Sequence, residues 1–127
     1  MKYGNKKIDV DGIQFDSKKE AQRYCELKLL QRAGKIEALE LQKEFELIPA
    51  QYEYFERYGK TGKRLKDGKR CIEQSCTYKA DFAYLQNGQL FVEDVKGYRD
   101  PQSAGYAKFV IKRKLMLWRY GIRIKEI

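Results

Sequence analysis

The 127-residue sequence predicts an α/β fold in which helices flank a mixed central β-sheet, with the element order α-β-β-β-α-β. Three observations lead to this prediction. One helical repeat of apolar residues follows Ser17, another leads up to Gly121, and the two strand-like segments between them meet at Asn87-Gly88. At this length the chain can bury one core, so residues 1–127 are expected to form a single domain.

The first elements have clear boundary signals. The segment "KIDVDGIQF" (Lys7–Phe15) alternates apolar and polar residues across an Asp-Gly step, which predicts a short hairpin or a capping arm. The following helix has an N-cap at Ser17 and a C-terminal cap at Gly34. Alternation from about Phe45 to Phe55 then predicts a strand, with Pro49 at a bulge or an edge position.

A basic flexible loop is predicted at about residues 56–76. Between Glu56 and Arg70 the sequence contains seven Lys or Arg and three Gly, and Leu65 is the only aliphatic side chain. The "GKT" of this segment is not a phosphate-binding loop, because Tyr54 stands where that motif requires its first glycine.

The second half predicts a β-hairpin, a helix and a terminal strand. Asn87-Gly88 joins "TYKADFAYL" to "QLFVEDVKG" and is a strong signal for a two-residue hairpin turn. Asp100 is expected to cap the next helix, Pro101 to open it and Gly121 to end it. The final "IRIKEI" has the pattern of a strand.

The charge of the chain is localised. Lys and Arg outnumber Asp and Glu by 27 to 18, giving a formal net charge of +9 at pH 7, yet residues 1–50 contain ten basic and nine acidic side chains. A basic half favours a polyanionic partner, and DNA is favoured over a membrane because no basic amphipathic helix stands apart from the core. The alternative is an ordinary lysine-rich surface.

Other function classes are less compatible with the composition. No apolar run approaches the roughly 18 residues of a membrane span, and the N-terminus lacks the apolar core of a secretory signal, so a cytoplasmic protein with reduced thiols is expected. Cys71 and Cys76 have no second pair of ligands, and the chain has no histidine. A structural zinc site is therefore improbable, and histidine-based catalysis is excluded.

The hairpin contains acidic residues where a core is expected. If Asn87 and Gly88 form the turn, the strand register places Asp81 opposite Asp94. Asp94 and Lys96 share a face because their positions have the same parity, whereas Glu93 points to the other layer, where a basic side chain of the last helix is an expected partner. Asp81 is expected on the face opposite the apolar set, which comprises Tyr78, Ala80, Phe82 and Tyr84.

Opposed carboxylates repel one another unless a cation compensates their charge. Mg²⁺ or Mn²⁺ suits this role, because a hard ion takes one or two carboxylates and completes its shell with waters and a substrate phosphate. Lys96 would add positive charge beside the reacting phosphate. The alternative is a surface ion pair between Lys96 and an aspartate, which contributes about 0 to 1 kcal/mol.

The motifs "KAD" (residues 79–81) and "DVK" (residues 94–96) on one hairpin resemble the PD-(D/E)xK motif of the restriction-endonuclease-like nucleases. Together with "FDSKKEAQRYCELKLLQRAGKI", "LQKEFEL" and "IKRKLMLWRYGI", the chain looks like an uncharacterised phage-associated family of that superfamily. The resemblance implies a restriction-endonuclease-like core and a Mg²⁺- or Mn²⁺-dependent endodeoxyribonuclease. Asp81 and Asp94 would then bind metal with help from Glu20 on the preceding helix, and Lys96 would be catalytic.

Several assignments stay open. Ala80 replaces the proline that often precedes the first aspartate, and Glu93 is an alternative acid to Asp94. Glu20 also completes a capping box with Ser17, a role that needs no metal. Gln42 either lies beside the site or is an exposed polar residue.

Since a chain of this length has no room for a separate sequence-reading domain, structure-selective cutting of branched or nicked DNA, in phage replication, recombination or repair, is expected over site-specific restriction. The protein would then act in the cytoplasm of a bacterial host cell, and a homodimer would let two sites address two strands. The alternatives are a non-catalytic nucleic-acid-binding module with the same fold and an adaptor for an acidic protein. Tyrosines 52, 54, 58, 98 and 106 are either base-stacking or structural. The residues expected to bind DNA, or else to form a solvated surface, are Lys60, Lys63, Arg64, Lys66, Lys69, Arg70, Lys108, Lys112 and Arg113.

Overall fold

The computed structural model describes residues 7–97 and 100–127, which form a mixed α/β fold with two helices. The predicted α/β class with a mixed central sheet is confirmed, but the predicted order has too few strands. The elements are β1 (Ile8–Val10), β2 (Ile13–Phe15), α1 (Lys18–Arg32), β3 (Glu37–Ile48), β4 (Gln51–Tyr58), β5 (Arg64–Glu73), β6 (Cys76–Gln86), β7 (Gln89–Asp94), α2 (Ala104–Tyr120) and β8 (Ile124–Glu126).

The central sheet has the strand order β3-β6-β7-β8. The β3–β6 and β6–β7 pairs are antiparallel, whereas β8 returns after α2 to pair parallel with β7. Helix α1 packs on one face in a cluster with Phe82 and Tyr84, and helix α2 packs on the other in a cluster with Ala83 and Val92. The short β1–β2 hairpin is confirmed and adds its apolar side chains to the α1 cluster.

Strands β3 and β6 exchange faces at one point. Tyr78 and Ala80 belong to the α2 cluster, whereas Phe82 and Tyr84 belong to the α1 cluster, so the predicted common apolar face is wrong. The cause is local, because Gln42 on β3 has φ of +53° and therefore breaks the strict alternation of a strand. Asp81 lies at the exchange point on β6.

The strand predicted from about Phe45 to Phe55 is two strands. Strand β3 already begins at Glu37 and ends at Ile48, and a new strand starts at Gln51 after Pro49. The early part of β3 was missed because Ala38 also has positive φ, +55°, and the register with β6 shifts there, so this stretch does not alternate regularly.

Side-chain caps define both helices. The Ser17 hydroxyl accepts a hydrogen bond from the backbone N–H of Glu20, and Gly121 ends α2 in the left-handed conformation, both as predicted. The N-cap of α2 is Ser103 rather than Asp100. The Asp100 carboxylate instead accepts the N–H of Gln102 at 2.9 Å and so forms a turn ahead of the helix.

The predicted basic loop at about 56–76 is wrong. Most of it belongs to strands β4 and β5, which pair antiparallel with each other in a separate two-stranded sheet. The turn between them is closed by a hydrogen bond from the N–H of Gly59 to the carbonyl of Lys63. Alternation marks β4 only as far as Phe55, because beyond it charged residues and glycines take the place of regularly spaced apolar residues. We call residues 51–73 the β-arm.

Helices α1 and α2, the helices of the described ranges, are too short or too polar to cross a membrane.

Candidate functional site

A cavity of about 270 Å³ lies where the start of α1 meets the middle of β6 and the end of β7. The predicted acidic residues line it together with the predicted lysine. Its polar side chains belong to Asp16, Ser17, Glu20, Asp81, Asp94 and Lys96. We call this space the acidic cavity.

The β6–β7 hairpin brings the two aspartates to the cavity. Its register is the predicted one, with Gln86 opposite Gln89 and Phe82 opposite Glu93. Asp81 and Asp94 lie one step beyond the last pair of this ladder, and their carboxyl groups share a hydrogen bond. The two-residue turn at Asn87-Gly88 therefore determines that these carboxylates are neighbours.

Asp81 is held by two neighbours. Its Oδ2 accepts the backbone N–H of Val95 at 2.8 Å, which ties it to the strand that carries Asp94. Its Oδ1 accepts the side-chain amide of Gln42 at 3.3 Å. Gln42 thus lies beside the site, at the point where β3 and β6 exchange faces.

Lys96 is fixed between the sheet and α2. Its Nζ lies 2.7 Å from Oδ2 of Asp94 and 3.8 Å from the ring centroid of Phe109. The ring face attracts the ammonium group, and the carboxylate holds it at the cavity. Lys96 also accepts a hydrogen bond through its carbonyl from Nζ of Lys19 at 3.0 Å, which anchors the segment to α1.

Glu20 reaches the cavity from the first turn of α1 and is 7% exposed. Its carboxyl group shares a hydrogen bond with Asp81 and another with the Asp16 backbone. The capping interpretation therefore holds for the Ser17 hydroxyl, while the Glu20 side chain also contacts Asp81.

The carboxyl groups have unusual proton affinities. Burial, followed by the charge of Asp81, raises the pKa of Glu20 to about 7. Burial and a hydrogen bond shared with Asp81 raise the pKa of Asp94 to about 7, although Lys96 opposes the shift. A hydrogen bond between two carboxyl groups requires a proton on one of them, so the cluster retains protons near neutral pH.

Glu93, the alternative acid, does not face the cavity. It is fully buried on the α1 side of the sheet, where Arg23 donates from Nε at 2.7 Å and from Nη2 at 2.6 Å, and the Tyr84 hydroxyl donates as well. Burial opposes the charge of Glu93, but the bonds from Arg23 and Tyr84 prevail and lower its pKa. The predicted partner of Glu93 on the last helix is wrong, because the Glu93 side chain points from β7 toward α1.

Sequence reasoning missed Arg23, Lys19 and Tyr78. The Tyr78 hydroxyl is buried and has no hydrogen-bond partner of acceptable geometry within the described residues. Burial, followed by the charges of Asp94 and Asp81, raises its pKa. Parity assigned Tyr78 to the wrong face, whereas Arg23 contacts a residue 70 positions away and leaves no local signal.

The predicted DNA-binding residues lie in two regions. Those of the β-arm are all exposed, and two of them form ion pairs, Arg64 with Asp67 and Arg70 with Glu53. On α2, Lys108 is exposed and Lys112 half-buried, while Arg113 pairs with Glu126 at 3.1 Å. Tyr98 lies outside the described residues.

The donor chemistry of the acidic cavity fits a hard divalent cation. Four carboxyl groups line one space, and two of them, those of Glu20 and Asp94, have raised pKa values because their charges are buried and repelled by Asp81. Over residues 7–97 and 100–127, no group of three or more Cys, Asp or Glu side chains is arranged as a ready-made metal site. The carboxyl groups of the cavity instead share hydrogen bonds in pairs through Asp81.

Comparison with known proteins identifies one family. Neither the curated proteins nor the solved structures contain a match to this chain. The family model described as "Protein of unknown function (DUF1064)" matches residues 1–125, nearly the whole sequence. The chain therefore belongs to the DUF1064 family.

Proposed function

We propose that this protein is a metal-dependent endodeoxyribonuclease with a restriction-endonuclease-like core. The observation that carries the proposal is the convergence of Glu20, Asp81, Asp94 and Lys96 on one cavity. They come from a helix and a following hairpin, in the arrangement that the PD-(D/E)xK resemblance implies. A surface ion pair would not require the buried carboxyl group of Glu20 and the half-buried one of Asp81 beside it.

Asp81 and Asp94 are the residues that would hold Mg²⁺ or Mn²⁺, with Glu20 as a third oxygen donor. When bound, such an ion supplies electrostatic stabilisation to a phosphodiester and activates water. The ionised forms of Glu20 and Asp94 are unfavourable without a cation, because both groups are buried beside Asp81, and a bound cation would compensate their charge. Gln42 and the Val95 amide orient Asp81, so its oxygens are positioned before a ligand arrives.

The remaining roles follow from the positions of the side chains. Lys96 keeps a positive charge at the cavity wall, where it stabilises the charge that develops on a phosphate during hydrolysis. Burial and the charge of Asp81 raise the pKa of Glu20 to about 7 without metal, so Glu20 would release a proton near neutral pH when its oxygens join the metal ligands.

DNA is the proposed substrate because the chain carries a net charge of +9 at pH 7. Branched or nicked DNA, as in phage replication, recombination or repair, is favoured over a sequence-specific site. A single domain of this size offers little surface for reading bases.

Plasmid nicking tests the proposal. Supercoiled plasmid is incubated with the purified protein in Mg²⁺, in Mn²⁺ and in EDTA, and nicked circles are quantified over time. We expect nicking only with metal, and a decrease of about 100-fold or more in Asp94→Asn and in Lys96→Met. Glu44→Gln, an exposed acid on β3, is the matched control and should nick at the wild-type rate.

The control experiments also separate the alternatives. Equal nicking by Asp94→Asn and wild-type protein would assign the activity to another site or to a contaminant. DNA that is bound but left intact in every metal would support a non-catalytic DNA-binding module, which the exposed basic β-arm alone could support. Absence of DNA binding at low salt would favour an adaptor for an acidic protein.

A further inference from the structure

The β-arm is built as a projecting ribbon. Its two strands pair only with each other, and every residue of both strands is exposed except Gly68. Strand β4 has eight residues, so at about 3.4 Å per residue the ribbon extends roughly 27 Å. An isolated hairpin of this kind is marginally stable in water, which favours a binding partner that covers its exposed faces.

Contacts inside the β-arm neutralise part of its positive charge. The Phe55 ring covers Gly68 on the opposite strand, where a Cβ atom would collide with the ring. The Arg70 guanidinium lies 4.9 Å from the centre of the same ring and pairs with Glu53 at 2.6 Å. These contacts give the ribbon its shape, and they neutralise the arginine on that face.

The lysines are not neutralised in this way. Lys60, Lys63 and Lys66 lie at or beside the turn, and no acidic side chain of the described residues lies within ion-pair distance of them. Lys69 lies 4.0 Å above the ring of Tyr52 and is also without an acidic partner in that part of the chain. The end of the ribbon therefore carries a concentrated positive charge.

We propose that the β-arm inserts into the major groove of duplex DNA beside the acidic cavity. A two-stranded ribbon fits this groove, which is about 12 Å wide. Insertion also explains why both faces are exposed, since groove walls surround a ribbon on both sides, whereas a flat partner would cover one face. The turn lysines would then contact phosphates on the groove edges.

The position of the arm relative to the cavity is compatible with one DNA segment. The arm leaves the central sheet where Ile48 pairs with Cys76, and Asp81 lies five positions further along β6. That separation is roughly 17 Å, about half of one turn of B-DNA. The inference rests on the proposed function, because it assumes that the duplex in the groove is also the one presented to the cavity.

Binding measured without cleavage tests the arm independently of catalysis. The affinity of a fluorescent 30-base-pair duplex is measured by anisotropy in EDTA over a range of salt concentrations. We expect the triple variant Lys60→Ala, Lys63→Ala, Lys66→Ala to bind roughly 10- to 30-fold more weakly near 0.15 M salt. Its slope of log affinity against log salt should fall by about 2.7, or 0.9 per phosphate contact.

The matched control removes the same charge elsewhere. The variant Lys7→Ala, Arg32→Ala, Lys35→Ala alters three exposed basic residues outside the β-arm, one just before β1 and two at or just after the C-terminal end of α1, and should change affinity by less than about threefold. Both variants should unfold at the wild-type temperature, since exposed side chains without partners contribute little stability.

Three results would overturn the inference. One is an unchanged duplex affinity in the arm variant, and another is an equal loss in the control. The third is an equal loss for a 30-nucleotide single strand, which would replace groove insertion by general strand binding. Failure of the proposed function looks different, because a protein without nuclease activity would still show the arm-dependent loss of affinity.

Discussion

The acidic cavity should make the protein less stable at alkaline pH when no divalent cation is present. Glu20→Gln removes one charge from the cluster without changing the size of the side chain. The amide can accept the Asp16 hydrogen bond as the carboxylate does, and it can donate to Asp81, which the carboxylate can do only when protonated. We therefore expect the variant to be more stable than the wild-type protein at pH 8.

The size of the effect follows from the pKa. The pKa of Glu20 changes from 4.5 to about 7 on folding, and one pKa unit corresponds to about 1.4 kcal/mol. The largest gain in the free energy of unfolding that Glu20→Gln can bring is thus about 3 kcal/mol at pH 8 and under about 1 kcal/mol at pH 5. Because Asp94 in the same cavity also has a pKa raised to about 7, the two groups interact, and we expect about 1 to 3 kcal/mol at pH 8, or roughly 3 to 10 °C in Tm.

The sign depends on which state binds more protons. Between pH 4.5 and about 7 the folded protein holds a proton on Glu20 that the unfolded chain has released. The stability of the wild-type protein therefore falls as pH rises through this window, and the Gln variant escapes that loss. Mg²⁺ should restore stability to the wild-type protein at pH 8 and restore less to Glu20→Gln.

Urea unfolding measures the free energy of unfolding under four conditions, at pH 5 and at pH 8, each in EDTA and in Mg²⁺. Glu44→Gln is the control, because it removes an exposed carboxylate outside the cavity. The reasoning fails if Glu20→Gln is less stable than the wild-type protein at pH 8 in EDTA, or if its advantage is the same at both pH values.

Two other features give predictions of their own. Arg23→Met leaves the carboxylate of Glu93 buried without its partner, and we expect a loss of about 3 to 5 kcal/mol in urea unfolding; a loss below 1 kcal/mol would contradict the assigned role of the pair. Gly68→Ala should force the Phe55 ring aside and speed amide hydrogen exchange in the β-arm while leaving the central sheet protected. Gly105→Ala is the matched control, since a Cβ there meets open space on α2; similar exchange rates in the arm of both variants would refute the packing argument.

The parts of the site that the sequence predicts are those set by local chemistry. A two-residue Asn-Gly turn allows one register, so the neighbouring positions of Asp81 and Asp94 followed from counting residues. Ser17 has the side chain that caps a helix, and this places Glu20 in the first turn of α1.

The missed features depend on distant contacts or on unusual backbone conformations. The face exchange at Asp81 arises from positive φ at Gln42, a residue type that gives no warning of it. Beyond Phe55 the β-arm has no regular apolar period of two for sequence reasoning to detect. The few strand formers of β5, such as Ile72, follow lysines and glycines that are typical of loops.

The acidic cavity draws on three separate layers of the molecule. Glu20 comes from α1, the two aspartates come from the sheet, and Lys96 rests on Phe109 of α2. The set is complete only when both helices have docked on opposite sides of the sheet. A nascent or partly unfolded chain would lack the assembled constellation, so the proposed nuclease would leave DNA uncut until its folding is finished.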